Sequence, residues 1–282
     1  MTEGRSVSVN DVNYGVTING EAKRGTVLLL HGMPDTGAIW ARLTTNLIAL
    51  GYRVVTPDML GFGATDKPAD ARRYAGGKII ADLVELIGQL ELPKCHIVGH
   101  DWGAYAGWEL VTHLPEQFDR HVAISMSHPA VFFNDLGLRG LRDNWYMYLN
   151  TQEEAVDLYR LDNCAFYKEF CIPTHPDKEE VCTRLTDPEA MRGCLNWDRG
   201  NPLAASYLAT RKGELEYSKI NVPTLGIWSA GDTYLLEEHM QASGDYLDAE
   251  WSYVRLSSGS HWCMLDNPEE TNRAVIDWLE RS

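Results

Sequence analysis

Short apolar runs alternate with longer stretches of helical spacing over residues 1–128. Val27-Leu28-Leu29-Leu30 predicts a buried strand. Helical spacing follows from Ile39 to Leu50, and Tyr52 to Thr56 predicts the next strand. Between Lys78 and Leu90, the residues Ile79, Leu83, Leu86, Ile87 and Leu90 fall on one face of a helix. His96 to Gly99 then predicts a strand, Ala104 to Leu114 a helix, and Val122 to Ser125 a strand. Strands alternating with helices predict a parallel sheet with crossover helices.

The alternation stops after Ser125. From Pro129 to Ile220 the pattern predicts helices and loops without a buried strand, and aromatic residues are dense there. It resumes with a strand at Leu225 to Trp228, a helix at Leu235 to Tyr246, a strand at Trp251 to Leu256 and a helix from Pro268 to Arg281. The expected organisation is an α/β core in two parts, 1–128 and 221–282, separated by a helical cap at 129–220.

Composition narrows the function classes. With 282 residues and 44% hydrophobic content, the chain can bury a sizeable core. Its net charge of −15, from 25 Lys+Arg against 40 Asp+Glu, excludes phosphate backbones and anionic membranes as natural partners. Residues 1–10 are polar and no apolar run is long enough to span a bilayer, so the expected compartment is the cytoplasm. The six Cys form no CxxC pair and predict no metal site. Neither a P-loop nor a GxGxxG after a strand occurs, so no cofactor is expected. Oligomeric state is not legible.

The chemistry concentrates at strand ends. In Val98-Gly99-His100-Asp101-Trp102-Gly103-Ala104 a strand turns sharply into a helix, with small residues on either side of an Asp. This is the spacing of a nucleophile elbow, with Asp101 where a Ser commonly stands. Asp232 follows the strand Leu225 to Trp228, and His261 follows the strand Trp251 to Leu256. The order nucleophile, acid, histidine matches a hydrolytic triad, and the carboxyl ends of parallel strands share one edge. His31-Gly32-Met33-Pro34 ends the first core strand, where the amides of Met33 and Trp102 can form an oxyanion hole. His100 is expected to pack behind the elbow. Asp58 and Asp66 are expected to shape the loop after the second core strand, and His128 to line the pocket.

These motifs resemble the α/β-hydrolase superfamily, and within it the Asp-nucleophile branch of epoxide hydrolases and haloalkane or haloacetate dehalogenases. The resemblance covers nearly the whole chain: HGMPDTG at 31–37, PDMLGFGATDKP at 57–68, VGHDWGA at 98–104, WSAGD at 228–232 and SGSHW at 258–262. WYMYL at 145–149 and LNWDR at 195–199 resemble the cap of soluble-type epoxide hydrolases. It implies that Asp101 attacks an epoxide carbon to form an alkyl ester. His261, oriented by Asp232, then activates the water that hydrolyses it. An Asp suits this chemistry, because its ester is cleaved at the carbonyl carbon, whereas a Ser would form a stable ether.

The resemblance also implies two cap tyrosines that protonate the departing oxygen. Tyr148 is expected to be the first. The second position holds Asp198, so Tyr146 or Tyr207 is expected to substitute or Tyr148 to act alone. The implied partners are a small apolar epoxide and water. Trp102 and Trp197 carry an alternative, since two facing indole N–H groups could hold a halide in a dehalogenase. A non-catalytic ligand-binding relative is the third reading. Met33, where haloalkane dehalogenases commonly have Asn, and the cap pattern favour the epoxide hydrolase.

Overall fold

The computed structural model describes residues 2–134, 140 and 142–281. Among these, one sheet holds eight strands: β1 Thr2–Val9, β2 Val12–Asn19, β3 Gly25–Leu30, β4 Tyr52–Pro57, β5 Cys95–His100, β6 Phe118–Ile124, β7 Thr224–Ser229 and β8 Trp251–Leu256. Their order is β1-β2-β4-β3-β5-β6-β7-β8. The strands β3 to β8 run parallel, as the alternation predicts, while β1 pairs antiparallel with β2, and β2 with β4.

The β1–β2 hairpin is not among the predicted strands. Its signal is a period of two rather than an apolar run: Val12, Tyr14, Val16 and Ile18 are buried, while Asn13 and Thr17 are exposed. Asn10 and Asp11 make the turn at φ 45° and 64°, left-handed values that Asn and Asp tolerate.

The predicted helices lie within a few residues of their expected bounds. They are α1 Ala41–Leu50, α2 Gly76–Gln89 and α3 Trp102–His113. Between β6 and β7 the chain forms α4 Pro129–Asn134, α5 Trp145–Asn150, α6 Ala155–Phe166, α7 Lys178–Leu185, α8 Pro188–Gly200 and α9 Leu203–Arg211. Asp187 caps α8 by accepting from the Glu189 amide, and Pro188 takes its first position. Following β7 come α10 Glu237–Ala242, then α11 Cys263–Asp266 and α12 Pro268–Leu279 after β8.

The core lies on both faces of the sheet. Val27, Leu29, Leu30, Val54, Val55, Ile97, Val98, Val122 and Ile124 are inaccessible to solvent. Burial on both faces explains why these strands read as continuous apolar runs. Helix α2 carries one acidic residue on its buried side. Asp82 accepts from the Tyr14 hydroxyl (2.8 Å), the Asn10 amide (3.0 Å) and the Arg73 guanidinium (2.6 Å), which ties α2 to the hairpin. Among the described residues, no helix is long and apolar enough to cross a membrane, and no cluster of His, Cys, Asp and Glu could hold a metal ion.

Candidate active site

Asp101 sits between β5 and α3 at φ 53°, ψ −124°, a strained conformation for a residue with a Cβ. The bend needs the two glycines that flank it. A Cβ at Gly99 would overlap the backbone of Gly103 and Ala104, and one at Gly103 would overlap the Leu30 carbonyl. The tight turn presses α3 against the end of β3 and lifts Asp101 above the sheet. Its carboxylate makes no capping bond to α3. Oδ1 accepts from the Met33 amide at 2.8 Å, and the Trp102 amide acts on the same carboxylate.

The other two triad residues meet it. His261 Nδ1 lies 3.0 Å from Asp232 Oδ2, and its Nε2 lies 3.6 Å from Asp101 Oδ2. Asp232 Oδ1 accepts from the amides of Tyr234 (2.9 Å) and Leu235 (3.0 Å), which fixes the carboxylate plane. Tyr234 packs against the His261 ring at 4.9 Å and donates its hydroxyl to the Cys171 carbonyl. Thus three loops, after β5, β7 and β8, converge at one sheet edge.

Electrostatics make this a charged triad at rest. Burial alone would depress the His261 pKa, but the carboxylates of Asp232 and Asp101 outweigh it and raise it to about 10. Burial likewise opposes ionisation of both carboxyls, yet the neighbouring His261 charge and its hydrogen bonds hold both below the usual carboxylate range. An imidazolium between two carboxylates cannot accept a proton.

The histidines around the triad act as props. His31 Nε2 accepts from the Met59 amide at 2.9 Å, so its Nδ1–H donates to the Gly32 carbonyl. Burial lowers its pKa, and the neutral ring joins the loops after β3 and β4. His100 lies behind the elbow, 4.7 Å from the His261 ring, and burial pushes its pKa down to about 4. In the loop after β4, Asp58 accepts from the amides of Gly37 and Ala64, and Asp66 accepts from that of Asn13. Sequence reasoning did not find His175, which is buried and held 3.2 Å from Asp35. The Asp177 amide donates to its Nδ1, so Nε2–H donates to Asp35 and links the β3 loop to the chain before α7.

Two adjoining cavities of about 40 and 20 Å³ share Met33, Asp101 and Tyr146. The larger adds Trp102, Phe132, Met147, Asp198 and Leu235, and the smaller adds His261 and Tyr234. Spaces of this size hold no more than a few waters each.

Four expected site residues fall elsewhere. Tyr148 is 37% exposed and lines neither cavity, whereas Tyr146 lines both. Residues two apart on a helix point to nearly opposite sides, so α5 presents one Tyr to the site and the other to solvent. Burial, then Asp198 and Asp101, raise the Tyr146 pKa well above its usual value and keep the phenol protonated. Tyr207 is half-buried and lines neither cavity. His128 borders a neighbouring cavity of about 330 Å³ that shares Trp102, Tyr105 and Phe133 with the larger Asp101 cavity, and it is stacked 4.5 Å from Tyr246 and bonded at Nδ1 by the Ala130 amide. Trp197 packs 5.4 Å from Trp102, but its indole N–H donates to the Leu60 carbonyl at 2.8 Å. It is therefore committed to the loop after β4 and does not offer a halide donor.

The family profile described as alpha/beta hydrolase fold matches residues 25–268. The human protein "Epoxide hydrolase 4" is 26% identical over 277 residues, covering 93% of this chain and 74% of its own. The "AB hydrolase superfamily protein YfhM" of Bacillus subtilis (strain 168) is 26% identical over 297 residues, covering 97% and 96%. A crystal structure of a mutant epoxide hydrolase from Bacillus megaterium superposes with a TM-score of 0.87 at 23% identity, covering 98% of this chain and 100% of that one.

Proposed function

The chain belongs to the alpha/beta hydrolase fold family, and from that premise we propose that it is an epoxide hydrolase acting through a covalent ester on Asp101. The observation that carries this reading is the nucleophile itself. An ionised Asp stands at the elbow, held by an oxyanion-hole amide and facing a His that a second Asp orients. The names of the relatives and of the matched structure support the same reaction class.

The steps follow from the charges. Asp101 Oδ2 attacks an epoxide carbon, and the ring C–O bond breaks with its electron pair on oxygen. Ester formation removes the Asp101 charge, so the His261 pKa falls, the imidazolium gives its proton to solvent and the neutral ring can act as a base; the ring takes a proton back once the Asp101 carboxylate is restored. His261 then takes a proton from water, which attacks the Asp101 carbonyl carbon. The Met33 and Trp102 amides stabilise the oxyanion on Oδ1. Collapse releases the diol and restores the carboxylate. Tyr146, not Tyr148, is the cap phenol that faces the opening ring. The helices from α4 to α9 serve as a lid, residues 129–220, over a core formed by 1–128 and 221–282.

The test is a panel of epoxides and matched haloalkanes, beginning with styrene oxide and run with Asp101→Ala as control. We expect diol formation, no halide release and no activity in the control. His261→Gln should stop at the ester and gain the mass of one epoxide, read by intact-protein mass spectrometry. Diol formation without any adduct in that variant would argue for direct attack by water.

A further inference from the structure

Asp198 is a carboxyl group in a place where an anion has no evident support. It projects from α8, is 1% exposed and lines the same cavity as Asp101 and Tyr146. Oδ2 accepts from the Asn150 side-chain amide at 2.5 Å, while Oδ1 is buried without a partner. A buried carboxylate with one neutral donor and a bare oxygen costs far more than the neutral acid in the same place.

We propose that Asp198 stands in the cavity as a neutral carboxylic acid and is a proton donor to the oxygen of the opening epoxide, with Oδ1–H as the acid. This rests on the epoxide hydrolase reading above. The bookkeeping of atoms is closed. Asp101 Oδ2 forms a bond to the epoxide carbon, the ring C–O bond breaks, and the proton on Asp198 Oδ1 passes to the released oxygen. Asp198 is then a carboxylate, retained by Asn150. Hydrolysis brings two protons with water: one ends on the diol oxygen freed from the ester, and the other returns to Asp198.

The surroundings agree with this assignment. Asp101 faces Asp198 from the core, Tyr146 from α5, Tyr159 from α6 and Cys171 from the turn after α6, while Cys194 shares α8. None of these is a cation. Arg199 is next in sequence, but its guanidinium donates to the carbonyls of Asn150 and Gln152. Burial raises the Asp198 pKa to about 7 against the opposing Asn150 hydrogen bond, and the Asp101 charge adds a smaller upward effect. An acid of that strength is largely protonated below neutrality and still donates readily.

The experiment is the pH dependence of kcat/KM for styrene oxide in the wild type, Asp198→Asn and Asp198→Glu. In the wild type, kcat/KM should be level below about pH 7 and fall tenfold per pH unit above it. The Asn variant should lose that fall and have a plateau lowered by about 10²-fold. The Glu variant should recover part of the rate together with an alkaline fall. A wild-type profile that stays level to about pH 9 overturns the proposal, as does an Asn variant with an undiminished plateau. A wild type that opens no epoxide overturns the underlying reading instead.

Discussion

Two tyrosines separated by one Met make the sharpest residue-scale contrast. Tyr146 reaches the Asp101 cavities, and Tyr148 meets solvent. The motif WYMYL offers both in the same helical turn, so spacing in sequence could not choose between them. The face of α5 does. Tyr146→Phe should slow ester formation by about 10²-fold with ester hydrolysis little changed, because the phenol serves only ring opening. Tyr148→Phe should stay within about twofold of wild type in both steps. Stopped-flow tryptophan fluorescence separates the steps, since Trp102 borders the cavity. If the Tyr148 variant were the slower one, the assignment of α5 would be reversed.

At the scale of elements, the sequence conveyed the parallel strands because β3, β5 and β6 are buried on both sides and cannot avoid long apolar runs. It conveyed the meeting of Asp101, Asp232 and His261 because the parallel order forces the ends of β5, β7 and β8 to one edge. The β1–β2 hairpin was harder to read, since β1 is largely exposed and only every second residue of β2 is apolar. The lid contacts were harder still. Whether Asp198, Tyr146 and Asn150 meet depends on how α5 crosses α8, which no local pattern encodes. The buried Asp82 belongs to this scale too, because it fastens the hairpin to α2. Asp82→Ala removes the partner of Arg73 and of the Tyr14 hydroxyl, and should cost about 3 kcal/mol of stability. Urea unfolding would measure this, with kcat expected to be unchanged at temperatures where the variant is folded. A loss of under about 1 kcal/mol would mean that water reaches the cluster and replaces the lost hydrogen bonds.

For the whole molecule, the site's charges set how stability changes with pH. Asp101 and Asp232 are shifted down, so their contribution is present above the ordinary carboxylate pKa and is lost as pH falls. His261, shifted from 6.5 to about 10, contributes fully below 6.5 and loses its contribution as pH rises through about 10. Asp198 is shifted up from 3.8 to about 7, so the folded chain holds a proton that the unfolded chain has released between those values. Folding therefore loses stability through that window as pH rises. Asp198→Asn removes that loss. Its melting temperature relative to wild type should rise between about pH 4 and pH 7 and then level off. Thermal melts at the two ends of the window provide the check, and a constant difference would count against a protonated Asp198. A net charge of −15 attracts small cations and leaves neutral molecules unsteered.

The bond from the Met33 amide to Asp101 Oδ1 gives the two oxygens of one carboxylate different fates. In the proposed reaction, Oδ1 remains in the oxyanion hole and is never released. Oδ2 forms the bond to substrate, leaves with the diol, and is replaced by an oxygen from water. Each product molecule thus carries away an atom that belonged to the protein one cycle earlier, and a working enzyme is continually rebuilt at a single oxygen from the solvent around it.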